Sequence, residues 1–323
     1  MKILARVGWT AWSLAAFPAQ AESWRFQREL MGTRFTIVCH AEDAVPAGQA
    51  AEAAFKVAEA VNQAASDYQA DSELASLAAL PVGSTAVLSP LLFGLLEHSR
   101  ALAEVTNGAF DPTLGPLTRL WRQTRQQRRL PEVAVLDAAR LATGWRYFSL
   151  DPTSRRVTLH RAGMRFDLGG VAKGYAADLM LESLAAAGLR QAMVAAGGDI
   201  LLGDPPPGRD GWRVAVQTVD LTRHDEVLVL ANAAISTSGD LHQWVEIDGV
   251  RYSHILDPAT GLGLTRRIAA TVIADEAKLS DALATAACVM GPCAGKSLEK
   301  LSGVREVKIR VVEDLPTGHR RVR

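Results

Sequence analysis

Residues 166–175 read FDLGGVAKGY, and this stretch marks a change from strand to helix. Apolar strand residues lead to Asp167, two glycines follow, and we predict a helix that begins near Gly174 and extends to Ala187. Glycines let a ligand approach the backbone, and amides at a helix N-terminus suit an anionic phosphate, beside which Lys173 adds a cation. The stretch is either an ordinary glycine-rich turn or a phosphate site. It is neither the G-x-G-x-x-G fingerprint nor a Walker loop.

Strands and helices are mixed irregularly on both sides of this turn. The apolar spacing predicts strands over residues 25–39, with a turn at 31–33, and over 147–160, 213–218, 226–231 and 250–255. It predicts helices over residues 47–65, 89–106, 174–187 and 279–290. Because strands and helices do not alternate regularly, we expect an α+β fold with largely antiparallel sheets.

The charge balance argues against a nucleic-acid protein. The chain has 35 basic and 35 acidic residues, whereas a nucleic-acid groove needs a surplus of Lys and Arg. A basic run over residues 122–129 is explained by a solvated helix face, with anion or membrane contact as the alternative. The run lacks interleaved aromatic residues, so we expect no nucleic-acid partner.

The N-terminus has the layout of a secretory signal peptide. Lys2 and Arg6 precede an apolar stretch over residues 7–17, and an A-x-A pattern ends at Ala21. The apolar stretch is too short to span a bilayer, and no cysteine follows it as a lipid anchor would require. We therefore expect residues 1–21 to be removed and residues 22–323 to form an exported soluble domain, periplasmic in a Gram-negative host.

Three cysteines do not make a disulfide framework. Cys288 and Cys293 are close enough in the chain to pair, but two small buried apolar residues are the favoured interpretation. No spacing typical of zinc ligands is present.

Two polar residues share one face of the helix that we predict near the C-terminus. Asp281 and Thr285 are four apart, about one helical turn. Such hard oxygen ligands suit Mg²⁺ when carbonyl and phosphate oxygens complete the coordination sphere. The alternative is that Asp281 caps the helix and Thr285 is merely small and buried.

A histidine lies at the end of a predicted strand. His254 belongs to the segment HILDPATG over residues 254–261, in which a proline-containing turn follows. Histidine is the side chain best suited to moving protons near neutral pH, although a single histidine at a strand end is more often structural.

Taken together, these segments resemble the FAD:protein FMN transferase family, also called the ApbE family. The resemblance covers most of the chain after residue 21, in the family's order. Its motifs are MGT at residues 31–33, Tyr68 before SEL at 72–74, GAFDPT at 108–113 with GPL at 115–117, DLGGVAKG at 167–174, GGD at 197–199, ISTSG at 235–239, HILDPATG at 254–261 and DALAT at 281–285.

The resemblance implies a fold and a set of site residues. The fold would be a two-lobed, T-fold-like α+β architecture with the FAD cleft between the lobes. The residues implied to contact FAD are Met31, Tyr68, Ala109, Phe110, Asp111, Asp167, Lys173 and Ile255 or Leu256, with Tyr68 stacked on the isoalloxazine. The implied Mg²⁺ ligands are Asp281, Thr285 and backbone oxygens at Gly170 and Ala284. His254 is the candidate catalytic base.

The resemblance also implies an activity. It is Mg²⁺-dependent transfer of FMN from FAD to a Thr or Ser hydroxyl of a target protein, with release of AMP, and the family's usual targets are membrane redox subunits. This chain departs from the family at residues 75–77, which read ASL, so details of the flavin contacts stay open. Two alternatives also stay open: an FAD pyrophosphatase giving FMN and AMP, and a non-enzymatic exported FAD-binding protein.

Overall fold

A computed structural model describes residues 22–216, 226–240, 243–314 and 320–322. The expected signal peptide, residues 1–21, lies outside the described residues. The strands are β1 (Glu22–Leu30), β2 (Thr33–Ala41), β3 (Thr85–Val87), β4 (Phe148–Asp151), β5 (Arg156–Leu159), β6 (Ala192–Ala196), β7 (Asp199–Leu202), β8 (Trp212–Val216), β9 (Glu226–Leu230), β10 (Ala233–Gly239), β11 (Trp244–Ile247), β12 (Val250–Ser253), β13 (Ile268–Ala274), β14 (Val304–Asp314) and β15 (Arg320–Val322). The helices are α1 (Ala44–Ala65), α2 (Glu73–Leu77), α3 (Pro90–Val105), α4 (Gly115–Gln127), α5 (Val133–Leu141), α6 (Ala172–Ala186), α7 (Ala277–Met290) and α8 (Gly295–Leu298), with a short 3-10 helix at Trp145–Tyr147.

One antiparallel sheet organises the chain. Its eight strands run in the order β1-β2-β6-β7-β10-β13-β14-β15. The order brings together strands that are far apart in the sequence, so the ends of β7 and β10 become neighbours in the middle of the sheet. Smaller sheets pair β3, β5 and β4, β8 with β9, and β11 with β12.

Helices α1, α6 and α7 supply most of the apolar surface that covers this sheet. One buried cluster joins Phe35 and Ile37 of β2 to small and apolar residues of α1 and α6. A second cluster joins β13 and α7 to α3 and to the irregular segment before α6. The sheet thus holds α6 and α7 side by side, which positions the candidate site.

A separate apolar cluster attaches the β11–β12 hairpin to α4. Val245, Ile247 and Tyr252 of the hairpin pack against Leu117 and Trp121 of α4. The Trp121 indole nitrogen donates a hydrogen bond to the carbonyl of Ser253 at 3.0 Å. These contacts fix the hairpin end that leads into His254.

The structure confirms the α+β class with antiparallel sheets and places the predicted helices near their expected positions. Three local predictions were wrong. Residues 147–160 form two strands, β4 and β5, paired through a turn. The segment before Asp167 is not a strand but carries a single bridge between Arg165 and Leu114. Helix α7 begins at Ala277, two residues earlier than expected, so Asp281 lies inside the helix and does not cap it.

The cysteines are free in the structure, and Cys288 is buried as expected, but Cys293 is exposed. The favoured interpretation was therefore right for one of the two. Within the described residues, no helix combines the length and the apolar character that a membrane crossing requires.

Candidate active site

The glycine-rich turn lies directly before helix α6. Asp167 braces the turn, because its Oδ1 accepts a hydrogen bond from the Gly169 amide at 2.9 Å. The N-cap residue of α6 is Val171, whose own side chain makes no cap hydrogen bond. A helix N-terminus is a suitable place for an anion such as phosphate, because backbone amides and the helix dipole face it.

Helix α6 contacts α7 so closely that only glycine fits at the crossing. A Cβ atom on Gly174 would lie 2.5 Å from the carbonyl carbon of Ala277, which is a steric overlap. The Gly174 amide donates to Oδ2 of Asp281 at 3.2 Å. The same contact therefore brings the glycine turn and the predicted metal ligand together.

Asp178 of α6 caps the first turn of α7. Its carboxylate accepts hydrogen bonds from the amides of Ala277 at 2.7 Å and Lys278 at 3.0 Å. Burial raises the pKa of Asp178 to about 6. This cap satisfies amides that a helix N-terminus leaves unpaired and fixes the position of α7 relative to α6.

A buried cluster of three charges lies at the junction of α6, α7 and β7, and we call Lys173, Asp199 and Asp281 the buried charge cluster. The Lys173 ammonium is 3.2 Å from a carboxylate oxygen of each aspartate. Asp199 and Asp281 are only 4% and 3% exposed. Burial and the nearby charge of Asp199 raise the pKa of Asp281 to about 7. Burial alone would lower the pKa of Lys173, but the two carboxylates outweigh it and raise that pKa.

Thr285 lies one turn along α7, beside the glycine turn. Its hydroxyl is 3.2 Å from the Ser238 hydroxyl at the end of β10. A Cβ atom on Gly170 would lie 3.4 Å from the Thr285 hydroxyl oxygen. The structure therefore brings Asp281, Thr285 and Gly170 to one place, with the buried Ala284 next to Thr285 on α7.

The donor chemistry of this place fits Mg²⁺. The available groups are carboxylate and hydroxyl oxygens, which are the hard ligands that Mg²⁺ prefers, and Mg²⁺ commonly takes its remaining ligands from phosphates and water. Across the described ranges, no group of three or more His, Cys, Asp or Glu residues could hold a metal by itself. A site that needs a phosphate-bearing substrate to complete it agrees with both observations.

Tyr68 is a highly exposed aromatic residue near the turn. The residue is 77% exposed, and the Arg122 guanidinium lies 4.1 Å from the ring centroid. Arg122 in turn binds Asp67 at 2.6 Å and Asp167 at 3.4 Å. Burial, and then the charge of Asp167, raises the pKa of Asp67. We call Tyr68 and Arg122 the tyrosine shelf.

The tyrosine shelf corrects the prediction for the basic run at Arg122, whereas Arg128 and Arg129 are exposed as predicted. Arg122 does not lie on a plainly solvated face, because its side chain is 31% exposed and is held between two carboxylates and an aromatic ring. A cavity of about 270 Å³ opens beside the shelf. It is lined by Asp67, Tyr68, Gln69, Ala70, Leu74, Ala75, Ala78, Gly115, Arg119, Arg165 and Phe166.

The GAFDPT segment forms a buried loop next to the glycine turn. The Phe110 ring lies within 3.6 Å of where a Cβ on Gly170 would be, and Phe110 is buried. The Asp111 carboxylate accepts hydrogen bonds from the amide and hydroxyl of Thr113 and from the amide of Trp145. Burial raises the pKa of Asp111. The Asp111 side chain therefore stabilises this loop.

Met31 and Ile255 are the remaining residues expected to contact FAD. Met31 occupies the turn between β1 and β2 with a φ of 51°, and its side chain packs against both large apolar clusters. Ile255 is buried in the cluster that also contains α7 residues, and Leu256 belongs to the hairpin cluster. Ala109 is partly buried against the same α7 cluster.

His254 lies at the end of β12, held by the residue opposite it. Its amide donates to the Gln243 carbonyl at 3.0 Å, and its Nδ1 is 3.1 Å from the same oxygen. Because a carbonyl can only accept, Nδ1 carries the proton and Nε2 is left as the basic nitrogen. Burial lowers the pKa of His254 below its ordinary 6.5, and the charges of Arg125, Asp240 and Lys173 act on it.

The sequence alone did not reveal several residues of this place. Asp199 belongs to the GGD motif and Ser238 to ISTSG, but neither motif indicated a role. Asp178 and Arg122 looked like ordinary helix residues. Only the pairing of distant strands and helices brings them to the glycine turn, and the nearest available signal was that Asp199 directly follows two glycines.

Comparisons with known proteins agree in pointing to one family. The model of the ApbE family matches residues 31–307. An FAD:protein FMN transferase of Vibrio cholerae is 29% identical over 309 residues, which are 93% of this chain and 91% of that protein. One from Rhodobacter capsulatus is 33% identical. The match covers 88% of this chain and about half (54%) of that protein. The crystal structure of the apo form of the Pseudomonas stutzeri flavinyl transferase ApbE superposes with a TM-score of 0.79 at 30% identity, covering 94% of this chain and 95% of that one.

Proposed function

The chain belongs to the ApbE family and is an FAD:protein FMN transferase, and from this premise we propose how it carries out the transfer. FMN passes from FAD to a Thr or Ser hydroxyl of an acceptor protein, and AMP leaves. The observation that carries the proposal is the meeting of Asp281 and Thr285 with the glycine turn at the start of α6. It joins hard oxygen ligands to a phosphate-binding backbone.

FAD would bind with its two ends held by different parts of the chain. The diphosphate lies at the glycine turn, where the α6 N-terminus and Lys173 face its negative charge. The isoalloxazine stacks on Tyr68, whose exposed ring already rests on Arg122. The cleft between two lobes, which the family resemblance implies, would lie between these two places.

Asp281 and Thr285 would hold the magnesium ion, with backbone oxygens at Gly170 and Ala284. When bound, Mg²⁺ supplies positive charge that neutralises the diphosphate and polarises the attacked phosphorus. Ser238 orients the Thr285 hydroxyl through their hydrogen bond. Asp199 retains Lys173 near the site when a cation takes the Asp281 carboxylate, because the ammonium then still has one buried carboxylate partner.

His254 would accept the proton of the acceptor hydroxyl. The hydroxyl oxygen forms a bond to the FMN phosphorus, the bond from that phosphorus to the AMP phosphate breaks, and the proton goes to Nε2 of His254. The lowered pKa keeps the imidazole neutral near pH 7, so that it can act as a base. The hydrogen bond from Nδ1 to Gln243 holds the ring in the required tautomer.

We also propose that the mature enzyme is exported. The support is the sequence pattern of residues 1–21, with a basic start, an apolar stretch and A-x-A before Glu22. Export would bring the enzyme to domains of membrane redox subunits outside the cytoplasm. N-terminal sequencing of the secreted protein tests this, with a start at Glu22 as the expected result.

The transfer reaction is tested with purified enzyme, FAD, Mg²⁺ and an acceptor protein. The mass of the intact acceptor should increase by one FMN, and AMP should appear in equal amount. Asp281→Ala and Thr285→Ala should each lower the rate by about 100-fold or more, because both remove a metal ligand. Asp137→Ala, on the exposed helix α5, is the matched control and should keep full activity.

Two other results would point to the alternative functions. FMN that appears only free in solution, with or without acceptor, would indicate a pyrophosphatase. FAD that stays bound in equal amount to protein without AMP release would indicate a storage protein. Full activity of Asp281→Ala would refute the proposed metal site.

A further inference from the structure

A second aromatic shelf lies on the β11–β12 hairpin. Trp244 is 44% exposed, and the Arg251 guanidinium lies 4.0 Å from its ring centroid. Arg251 is anchored in turn by Asp240, through its Nε to the carboxylate at 2.9 Å and its Nη2 to the carbonyl at 2.8 Å. We call Trp244 and Arg251 the tryptophan shelf.

The Trp244 indole is not part of the apolar core of the hairpin. The neighbouring residues Val245 and Tyr252 form the buried side of the hairpin and pack on α4, whereas Trp244 is not part of that cluster. A large aromatic side chain that contacts a partly buried ion pair, yet stays exposed itself, is typical of a surface that binds a partner.

The tryptophan shelf directly adjoins His254. Trp244 pairs with Ser253 in the hairpin, and the preceding residue, Gln243, holds His254 through its carbonyl. A polypeptide that presents a hydroxyl to Nε2 of His254 must therefore pass close to the indole.

The helix under the hairpin contributes positive charge to the same edge. Arg125 lies one turn after Trp121 on the same helix, and the Trp121 indole donates to the carbonyl of Ser253, the residue before His254. Arg129 follows the C-terminal end of this helix, which ends at Gln127, and is exposed. Unlike Arg122, neither arginine has an ion-pair partner within the part of the chain that the structure describes. Cations are favourable near a helix C-terminus, which accounts for part of this pattern but not for its position beside His254.

We propose that the tryptophan shelf, with Arg125 and Arg129, binds the acceptor polypeptide through a segment that is acidic next to its hydroxyl residue. This inference rests on the proposed function and adds the recognition of the second substrate. The indole supplies a flat apolar contact for the segment, and the arginines select for acidic neighbours by charge complementarity. Flavin binding does not require either contact.

The test uses three synthetic peptides, each with one central Thr flanked by acidic, uncharged or basic residues. Peptide labelling is measured by mass, and FAD cleavage in water is measured in parallel by AMP release. We expect the wild-type enzyme to label the acidic peptide roughly tenfold more efficiently than the uncharged one and the basic one least. Arg125→Glu and Arg129→Glu should reverse this order.

Trp244→Ala should raise the KM for the acidic peptide roughly tenfold, and Trp244→Phe should restore most of the loss, because an aromatic face remains. Arg213→Glu makes the same charge change on β8, within a different apolar sheet region, and should leave the ratio of labelling to FAD cleavage unchanged.

Several outcomes would contradict this inference but would leave the proposed transfer function standing. Equal labelling of all three peptides would show that charge is not recognised. An unchanged KM in Trp244→Ala would remove the tryptophan shelf from acceptor binding. AMP release in water with no peptide labelled at all would also overturn it, because a short acidic segment would then not suffice. Failure of the proposed function would look different, since the wild-type enzyme would then leave an intact acceptor protein unlabelled as well, whether or not it released AMP.

Discussion

The buried charge cluster and the two aromatic shelves both pair a cation with buried carboxylates, but only the shelves carry an aromatic ring. In the cluster, the Lys173 side chain, which is 25% exposed, lies between Asp199 and Asp281. In the shelves, Arg122 and Arg251 also bind carboxylates, but they support rings that face solvent. Removing the partner of a buried carboxylate is costly, and the carboxylate side chains of the cluster (6% and 4% exposed) are buried more deeply than those of the shelves (15%, 14% and 8% exposed). The cluster therefore determines whether a site exists, and the shelves determine what it holds.

The two regions also differ in how the fold positions them. The cluster depends on a backbone contact between α6 and α7 that allows only glycine at position 174. The shelves depend on side-chain contacts at the edges of α4 and the β11–β12 hairpin. We therefore expect substitutions at the cluster to damage both fold and activity, and substitutions at the shelves to change affinity alone.

The largest effect is expected for Gly174→Ala. The added methyl would overlap the carbonyl group of Ala277, so α7 must move and take Asp281 and Thr285 with it. We expect a loss of stability of about 1–3 kcal/mol and loss of FAD cleavage. Urea unfolding and AMP release measure the two effects.

Gly48→Ala provides the contrast, since this helical glycine would place its methyl 3.8 Å from Phe26. It should be neutral or slightly stabilising, by about 0.5–1 kcal/mol. Wild-type activity in Gly174→Ala would mean that the helix contact does not position the site.

His254→Ala should reduce the transfer rate by about 100-fold or more, the usual contribution of a general base. FAD affinity should change little. Burial lowers the pKa of His254 below 6.5, so the wild-type rate should stay constant above pH 7 and decline only below the ordinary imidazole range. The rate of acceptor labelling as a function of pH measures this, and an unchanged rate in the variant would remove His254 from the reaction.

A smaller effect is expected at the tyrosine shelf. Arg122→Ala should weaken FAD binding roughly tenfold, because it removes the support of Tyr68 and leaves two carboxylates unpaired. If Arg122 acts through the ring, Arg122→Ala should lower FAD affinity much less in a Tyr68→Ala background than in the wild type. Equilibrium titration of flavin fluorescence measures the four affinities.

Arg161→Ala removes a comparable arginine–aromatic contact with Tyr147 and should not change FAD affinity. Equal losses for Arg122→Ala in both backgrounds would show that the arginine acts independently of the ring.

A pH dependence of stability is expected on the buried side of the comparison. Burial lowers the pKa of His98 from 6.5 to about 4, so the unfolded chain takes up a proton at a higher pH than the folded chain does. The contribution of His98 is therefore fully present above pH 6.5 and is lost as the pH falls toward 4. The loss amounts to at most about 3 kcal/mol.

His98→Gln should reduce the difference in unfolding free energy between pH 7 and pH 5. His160→Gln changes an exposed histidine and should leave that difference as it is. Identical pH dependence in His98→Gln and the wild type would contradict the expectation.

Local sequence patterns predicted the elements of the cluster better than those of the shelves. The glycine turn at residues 167–174 and the i,i+4 spacing of Asp281 and Thr285 are short-range signals, and the structure brings them together. The antiparallel α+β class also followed from the irregular order of elements. These features could be predicted because each depends on neighbouring residues.

The remaining features depend on contacts between distant segments. Arg122 looked like part of a solvated basic run because Asp67 and Asp167, its partners, belong to other elements. Asp199 reaches Lys173 only because β7 ends beside α6 in the folded sheet. The early start of α7 was missed because Asp178 of α6, rather than a residue of its own segment, caps it.

The ion pairs of Lys173 have a consequence for biogenesis. If the site held only unpaired carboxylates before a metal and a diphosphate bound, folding would be opposed. Each uncompensated buried charge costs free energy. Here an internal ammonium balances much of that charge in advance. We therefore expect the newly made polypeptide to reach its native state before it binds flavin nucleotide or magnesium, and to bind both afterwards by an exchange of ionic partners.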